Sequence, residues 1–245
     1  MRLSLTLAAV LAALLALSTV ATAAQPVKPE KGPAGAKFYE PPKELPKGHG
    51  KLIWQRRAKG LAPIDGASSN RLLLYTSKTV SGKKTAVSGS VSVPPGKPPK
   101  KGWPVISWGH GTTGAADSCA PTRASAFAPV APYITYIEPI LEDFLDAGYA
   151  VVRSDYEGLG TPGRHPYLVS TAEGRSVVDI VAAARALEPD LGKRYVLAGH
   201  SQAGHAVLGG AGLAKRWAPK LRLRGTVAYA PASHMKEQAQ SLPAL

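Results

Sequence analysis

The chain predicts an α/β fold, a mostly parallel sheet carrying helices on both faces. Two observations predict it. From Val105 onward, short β-branched and aliphatic runs alternate with longer segments of helical apolar spacing, the pattern of consecutive βαβ units. Towards the end, Val196-Leu197-Ala198 runs into the small-residue turn Gly199-His200-Ser201-Gln202-Ala203, and a Gly/Ala-rich helical pattern follows.

The chain has 245 residues and opens on Met1-Arg2, an apolar run from Leu7 to Leu17 and the small residues Ala21-Thr22-Ala23-Ala24. This layout predicts a secretory signal peptide over residues 1–24, since a membrane span needs about 20 apolar residues. A secreted, extracellular protein follows, with a mature chain of about 220 residues, enough for one domain. Residues 25–50 are rich in Pro, Lys and Gly and read as an N-terminal arm, flexible at first. Phe38-Tyr39-Glu40-Pro41-Pro42 offers aromatics that would pin it. Residues 51–245 form the core.

Strand signals appear at 52–56, 71–75 and 85–93, and these early strands are expected to be antiparallel. In the third, Val87, Gly89, Val91 and Val93 share one face and Ser88, Ser90 and Ser92 the other. Gly89 marks a bulge or a close backbone approach, and Pro94-Pro95-Gly96 ends the strand. Val105–Trp108 is a short buried strand. Ile137, Ile140, Leu141, Phe144 and Leu145 have helical spacing, and 149–152 is the next strand. Val177, Ile180, Val181, Ala184 and Leu187 make a helical face starting near Ser176. Residues 195–198 read as strand, 202–215 as helix and 226–229 as strand.

Net charge is +14, from 30 Lys and Arg against 16 Asp and Glu. Attraction to membranes, cell wall or nucleic acid competes with a solvated basic face, and the second is favoured. No basic run interleaved with aromatics and no nucleic-acid module is present, so no nucleic-acid partner is expected. The histidines lack metal-ligand spacing, and neither metal nor cofactor is expected. Cys119 is the single cysteine, either buried and inert or without a partner that lies elsewhere.

The strand–turn–helix around Ser201 has the layout of a nucleophile elbow, which exposes one serine hydroxyl at the top of a sheet. Gly199 and Ala203 must be small because strand and helix backbones pass close there. A chance Gly-x-Ser-x-small match in a loop is the competing explanation, and the flanking strand and helix disfavour it. A nucleophilic Ser201 needs an oxyanion hole. Its first donor would be the Gln202 backbone N–H. The second would come from the loop Gly109-His110-Gly111-Thr112-Thr113-Gly114, with Thr112 preferred over Thr113. His110 and Gly111 support that loop.

Asp155, at the carboxyl end of a strand, precedes the serine, so its carboxylate is expected to satisfy backbone N–H groups of the Gly-rich loop after it. His165 also precedes the serine and is expected to anchor its loop. His200 and His205 flank Ser201 and suit packing or polar-edge roles, and His234 is the weakest alternative base.

Taken together, Phe38-Tyr39-Glu40-Pro41-Pro42, His110-Gly111-Thr112-Thr113-Gly114, Asp155-Tyr156-Glu157-Gly158-Leu159-Gly160-Thr161-Pro162-Gly163 and Gly199-His200-Ser201-Gln202-Ala203-Gly204 resemble the secretory lipase family, the lipase-A-like branch of the α/β-hydrolases. The resemblance implies an α/β-hydrolase fold, hydrolysis of carboxylic esters through an acyl-enzyme, acylglycerol-type substrates and transient contact with lipid surfaces. Two departures stand out. Ala203 stands where glycine is usual. Members of the family also continue past the strand matching 226–229, with a cap and two more strands that supply the acid and the histidine of the triad. After Ser201 this chain has Glu237 and no histidine beyond it. The expectation is therefore an impaired ester hydrolase lacking the last strands and cap, or else a non-catalytic acyl- or surface-binding protein on the same fold.

Overall fold

A computed structural model describes residues 29–241. The expected signal peptide at 1–24 lies outside them. Among the described residues seven strands form one sheet: β1 (Leu52–Arg57), β2 (Ser69–Lys78), β3 (Lys84–Val93), β4 (Trp103–Gly109), β5 (Ala150–Ser154), β6 (Leu191–His200) and β7 (Arg222–Tyr229). Their order is β1-β2-β3-β5-β4-β6-β7. Pairing is antiparallel from β1 to β2, β2 to β3 and β3 to β5, and parallel among β5, β4, β6 and β7. Strands β2, β4, β5, β6 and β7 thus share one direction. The helices are α1 (Pro132–Thr135), α2 (Glu138–Asp146), α3 (Ser170–Leu187), α4 (Gln202–Trp217) and α5 (Met235–Ser241).

Period-two alternation along the central strands decides which helix each residue meets. Val105 and Val152 point into the larger core, against Val177, Ile180 and Val181 of α3 and Val207 of α4. Their neighbours Ile106 and Val151 point to the opposite face, against Leu141 and Leu145 of α2. Helices therefore cover both faces, because both faces of β4 and β5 are apolar.

Three differences from the pattern reading have physical reasons. Helix α3 begins at Ser170, well before its apolar periodicity starts. Its first turn is polar yet turns Ala172 and Glu173 inward, and Gly174 next to them packs on bare backbone: a Cβ there would lie 2.6 Å from Gly210 N of α4. Strand β7 begins at Arg222 although Arg222-Leu223-Arg224-Gly225 is polar, since it forms the exposed edge of the described sheet. The serine face of β3 is buried, because β3 lies between β2 and β5 and its hydroxyls have partners. Ser88 Oγ donates to Asp155 Oδ2 at 2.6 Å and Ser92 Oγ to Asn70 Oδ1 at 2.6 Å.

The N-terminal arm is held from Glu30 onward. Lys31 bridges Gln55 of β1, Phe38 and Tyr39 are buried, and Trp54 Nε1 donates to Phe38 O at 3.0 Å. Tyr39 Oη donates to Thr122 O at 2.7 Å. At the arm's end His49 Nδ1 meets Asp179 Oδ1 of α3 at 2.5 Å.

Gly89 marks a close approach and no bulge, since the β2–β3 register runs through it unbroken. A Cβ at Gly89 would run into Arg153 O and come within 2.5 Å of Ile180 Cδ1. Gly89→Val should therefore cost about 3 kcal/mol of stability by overpacking. Urea unfolding checks this, and an unchanged midpoint would refute it.

Candidate active site

The site lies at the carboxyl ends of β4 and β6, where open α/β sheets place their ligands. Strand β6 ends at His200 and α4 begins at Gln202, so Ser201 alone makes the junction. Its backbone is held at φ 59°, ψ −118°, outside the regions open to an unstrained L residue. Ser201 N donates to Tyr229 O of β7 at 2.9 Å, and Ser201 O accepts from His205 N at 3.3 Å and from Ala232 N at 3.4 Å. The closeness of strand and helix is set by small residues. A Cβ at Gly199 would lie 2.5 Å from Ala203 Cβ. Any larger residue at 203 would meet the β6 backbone, so the alanine is compatible with the turn.

The loop after β4 reaches the same point. A Cβ on Gly111 would sit 3.6 Å from Ser201 Cβ and 3.5 Å from His200 O, so this backbone passes directly beside the serine. Thr112 is exposed, its hydroxyl 2.9 Å from Tyr167 Oη. Thr113 Oγ1 is buried without a partner. The His110 ring is buried and donates from Nδ1 to Gly111 O at 2.7 Å, while Tyr156 Oη donates to His110 O at 2.9 Å. Those two bonds fix the start of the loop from both sides.

Gln202 is buried and its side chain belongs to a polar network beneath the turn. Gln202 Nε2 donates to Glu173 Oε1 at 2.6 Å and to His165 Nε2 at 2.8 Å. His165 Nδ1 in turn donates to Glu157 O at 2.9 Å, which leaves Nε2 as the acceptor that Gln202 requires. Glu173 Oε1 also accepts from Leu168 N at 3.0 Å. Burial raises the Glu173 carboxyl above its ordinary 4.5, partly offset by the bond from Gln202. Burial lowers the His165 imidazole, so the ring stays neutral beside it. His165 thus anchors its loop. Glu173 was missed in the sequence because it lies in the polar first turn of α3, ahead of any apolar spacing.

The other titratable groups are occupied elsewhere. Asp155 accepts from Ser88 Oγ, Thr122 N and Thr122 Oγ1. It serves β3 and the segment around Thr122 rather than the N–H groups of its own Gly-rich loop. His200 Nδ1 shares a 2.7 Å hydrogen bond with Tyr136 Oη, which places Tyr136 at the rim. His205 Nδ1 donates to Ala232 O at 3.1 Å, and His234 Nδ1 lies 3.3 Å from Ser233 Oγ. Among the described residues no histidine bonds to the Ser201 hydroxyl, and no group of three or more His, Cys, Asp or Glu is placed to hold a metal ion. Cys119 is half-buried and free.

A model of the family described as secretory lipase matches residues 105–243. The comparison with curated proteins finds no match. Among solved structures, the chain is similar to Candida antarctica lipase A in its closed state, with 24% identity and a TM-score of 0.64 over 77% of this chain and 44% of that one. It is also similar to a ligand-bound form of the rice cell wall degrading esterase LipA from Xanthomonas oryzae, with 22% identity and a TM-score of 0.56 over 74% of this chain and 50% of that one. The chain spans about half the length of these relatives. At this identity the likeness establishes the fold, an α/β-hydrolase sheet.

Burial pushes the His110 imidazole from its ordinary 6.5 down to about 4. Between those values the unfolded chain binds a proton that the folded chain refuses. Stability should therefore fall as pH drops from 6.5 towards 4. Relative to His110→Gln, the wild type should lose up to about 3 kcal/mol across that window. Denaturant unfolding of both proteins at several pH values checks this, and a difference that does not vary with pH would refute it.

Proposed function

This chain belongs to the secretory lipase family, and from that premise we propose that it is a secreted carboxylic ester hydrolase acting through an acyl-enzyme on Ser201. The observation that carries the proposal is the strained backbone of Ser201 between β6 and α4, with the Gly111–Thr112 backbone alongside. Strain of this kind persists only where the surroundings over-determine it, and it clusters at functional sites.

In this reading the Ser201 Oγ attacks the ester carbonyl carbon and its proton passes to a general base, a part that none of the described histidines is bonded to play. The carbonyl oxygen takes up the negative charge, and backbone N–H groups of Gln202 and Thr112 receive it. The tetrahedral intermediate collapses by expelling the alcohol, and water then releases the acid from Ser201. The Glu173–Gln202–His165 network supports this role by holding the residue that supplies the first donor. Membership of the secretory lipase family supports the substrate class proposed here. Acylglycerol-type esters are the preferred substrates, met at a lipid surface. Phe127 and Tyr133, 98% and 64% exposed, lie on the segment that brings Tyr136 to the rim and suit that contact.

One observation favours a second reading. No histidine bonds to Ser201 among the described residues, and a serine without a base binds acyl groups but turns them over poorly. That reading makes the chain an acyl-binding protein on the same fold.

A fluorophosphonate probe together with a short-chain p-nitrophenyl ester separates the two. The hydrolase reading expects labelling at Ser201 and its loss in Ser201→Ala, and wherever a base completes the site the substitution lowers turnover by a factor on the order of 10⁶. Equal ester turnover in wild type and Ser201→Ala would place any chemistry elsewhere. An unlabelled wild type that still binds a fatty-acyl ester would favour the second reading.

A further inference from the structure

The net charge of +14 is not spread evenly over the surface. A groove of about 650 Å³ opens at the amino-terminal ends of β4 and β6, at the opposite end of the sheet from Ser201. Lys100, Lys101, Arg185, Lys193, Arg194 and Arg222 line it, against one acid, Asp190. All but Arg185 are exposed, and among the described residues none of the six makes an ion pair. Arg194 of β6 and Arg222 of β7 are direct cross-strand partners, an arrangement in which like charges repel. The row continues past the groove, since Arg194 and Arg224 both line an adjoining cleft of about 260 Å³. The carboxyl end of α3 accounts for one of these cations, Arg185. Nothing in the fold accounts for the others.

The groove is also rigid. Gly102 N donates to Pro99 O at 2.7 Å, and Trp103 N donates to Asp190 O at 2.8 Å. The two wall loops are in backbone contact: a Cβ at Gly102 would lie 2.6 Å from Asp190 O, and one at Gly192 would lie 2.6 Å from Lys101 O. Arg185 Nε is fixed on Leu191 O at 3.0 Å. Cations that merely solvate a surface gain nothing from being gathered on a stiff concave wall, where they repel one another.

We propose that this groove binds an anionic polysaccharide, whose repeating carboxylate or sulfate groups supply the missing counter-charge. Shape and lining select this class of partner. The groove has no aromatic side chain to stack a nucleic-acid base, and the two tyrosines of the adjoining cleft, Tyr149 and Tyr195, are packed into the core. The large exposed apolar side chains, Phe127, Tyr133, Tyr167 and Tyr229 among them, lie outside it, so nothing there enters a bilayer. An extended polyanion needs only a row of cations at fixed spacing. Bound there, it holds the protein with the Ser201 end of the sheet turned outward. This proposal is independent of the chemistry assigned to Ser201.

The test uses the full chain, with heparin and polygalacturonate as the anionic polysaccharides, neutral dextran as the blank, and phosphatidylglycerol vesicles and a single-stranded oligonucleotide as competing classes. The groove variant is Lys193→Gln/Arg194→Gln/Arg222→Gln. A control variant, Lys43→Gln/Lys47→Gln/Lys83→Gln, removes the same charge elsewhere. The wild type should bind both polyanions in a salt-sensitive way. The groove variant should bind about tenfold more weakly and the control within about twofold of wild type. The single variants Lys193→Gln and Arg222→Gln, each on an exposed side chain, should lose about threefold each. Heparin should raise the melting temperature of wild type and control but not of the groove variant. Without heparin the groove variant should melt no lower than wild type, because a repulsion has been removed. Equal weakening in groove and control variants would overturn the proposal. So would an absence of salt-sensitive retention, or groove-dependent binding to vesicles or oligonucleotide tighter than to either polysaccharide.

Discussion

The structure depends on how closely α4 is pressed against everything around it. At its start a Cβ on Gly109 or Gly199 would come within 2.8 Å of Ala203, so β4 and β6 both touch the helix as bare backbone. Half-way along, a Cβ on Gly209 would lie 2.5 Å from Ser170 O, and one on Gly174 of α3 would lie 2.6 Å from Gly210 N. Interiors packed at crystal-like density have no room for another methylene at such crossings. Because α4 cannot retreat, the single residue joining it to β6 has to turn sharply, and the strained backbone of Ser201 follows.

Around that crossing, the buried polar groups of α3 act as a hub. Asp179 accepts from Ser77 of β2 at 2.8 Å and from Trp217 of α4 at 2.8 Å, and it also holds His49 of the N-terminal arm. One turn and a half earlier, Glu173 holds Gln202. A carboxylate buried without partners would be costly, so each such bond specifies the placement of a distant segment as much as it stabilises it. The His49 bond explains why the Pro/Lys-rich arm lies on the body over its described length. The Gln202 bonds explain how the residue after Ser201 comes to be fixed by two side chains from separate segments, His165 and Glu173.

The two ends of the parallel block therefore differ in chemical character. At the carboxyl end the loop after β4 passes beside Ser201, buried His165 and Glu173 hold the residue after it, and aromatic side chains are exposed at the rim. At the amino end, short proline-bounded loops are locked together by backbone bonds and carry cations. Strand β6 passes through both, from Leu191 in the groove wall to His200 beside the serine.

The sequence by itself determined the strand–turn–helix at Ser201, the antiparallel start and parallel continuation of the sheet, and the apolar faces of α2 and α3. Each rests on short-range periodicity or on a run of small residues, and both are local properties of the chain. It also pointed to the loop after β4, because glycines mark where a backbone must come close. Only the tertiary structure decided the rest. The polar first turn of α3, the role of Glu173, the buried serine face of β3 and the partners of Asp155 all depend on groups far away in the chain. So does the pairing of Arg194 with Arg222. A lone polar residue reads the same in sequence whether water or a distant side chain satisfies it, and only packing tells the two apart.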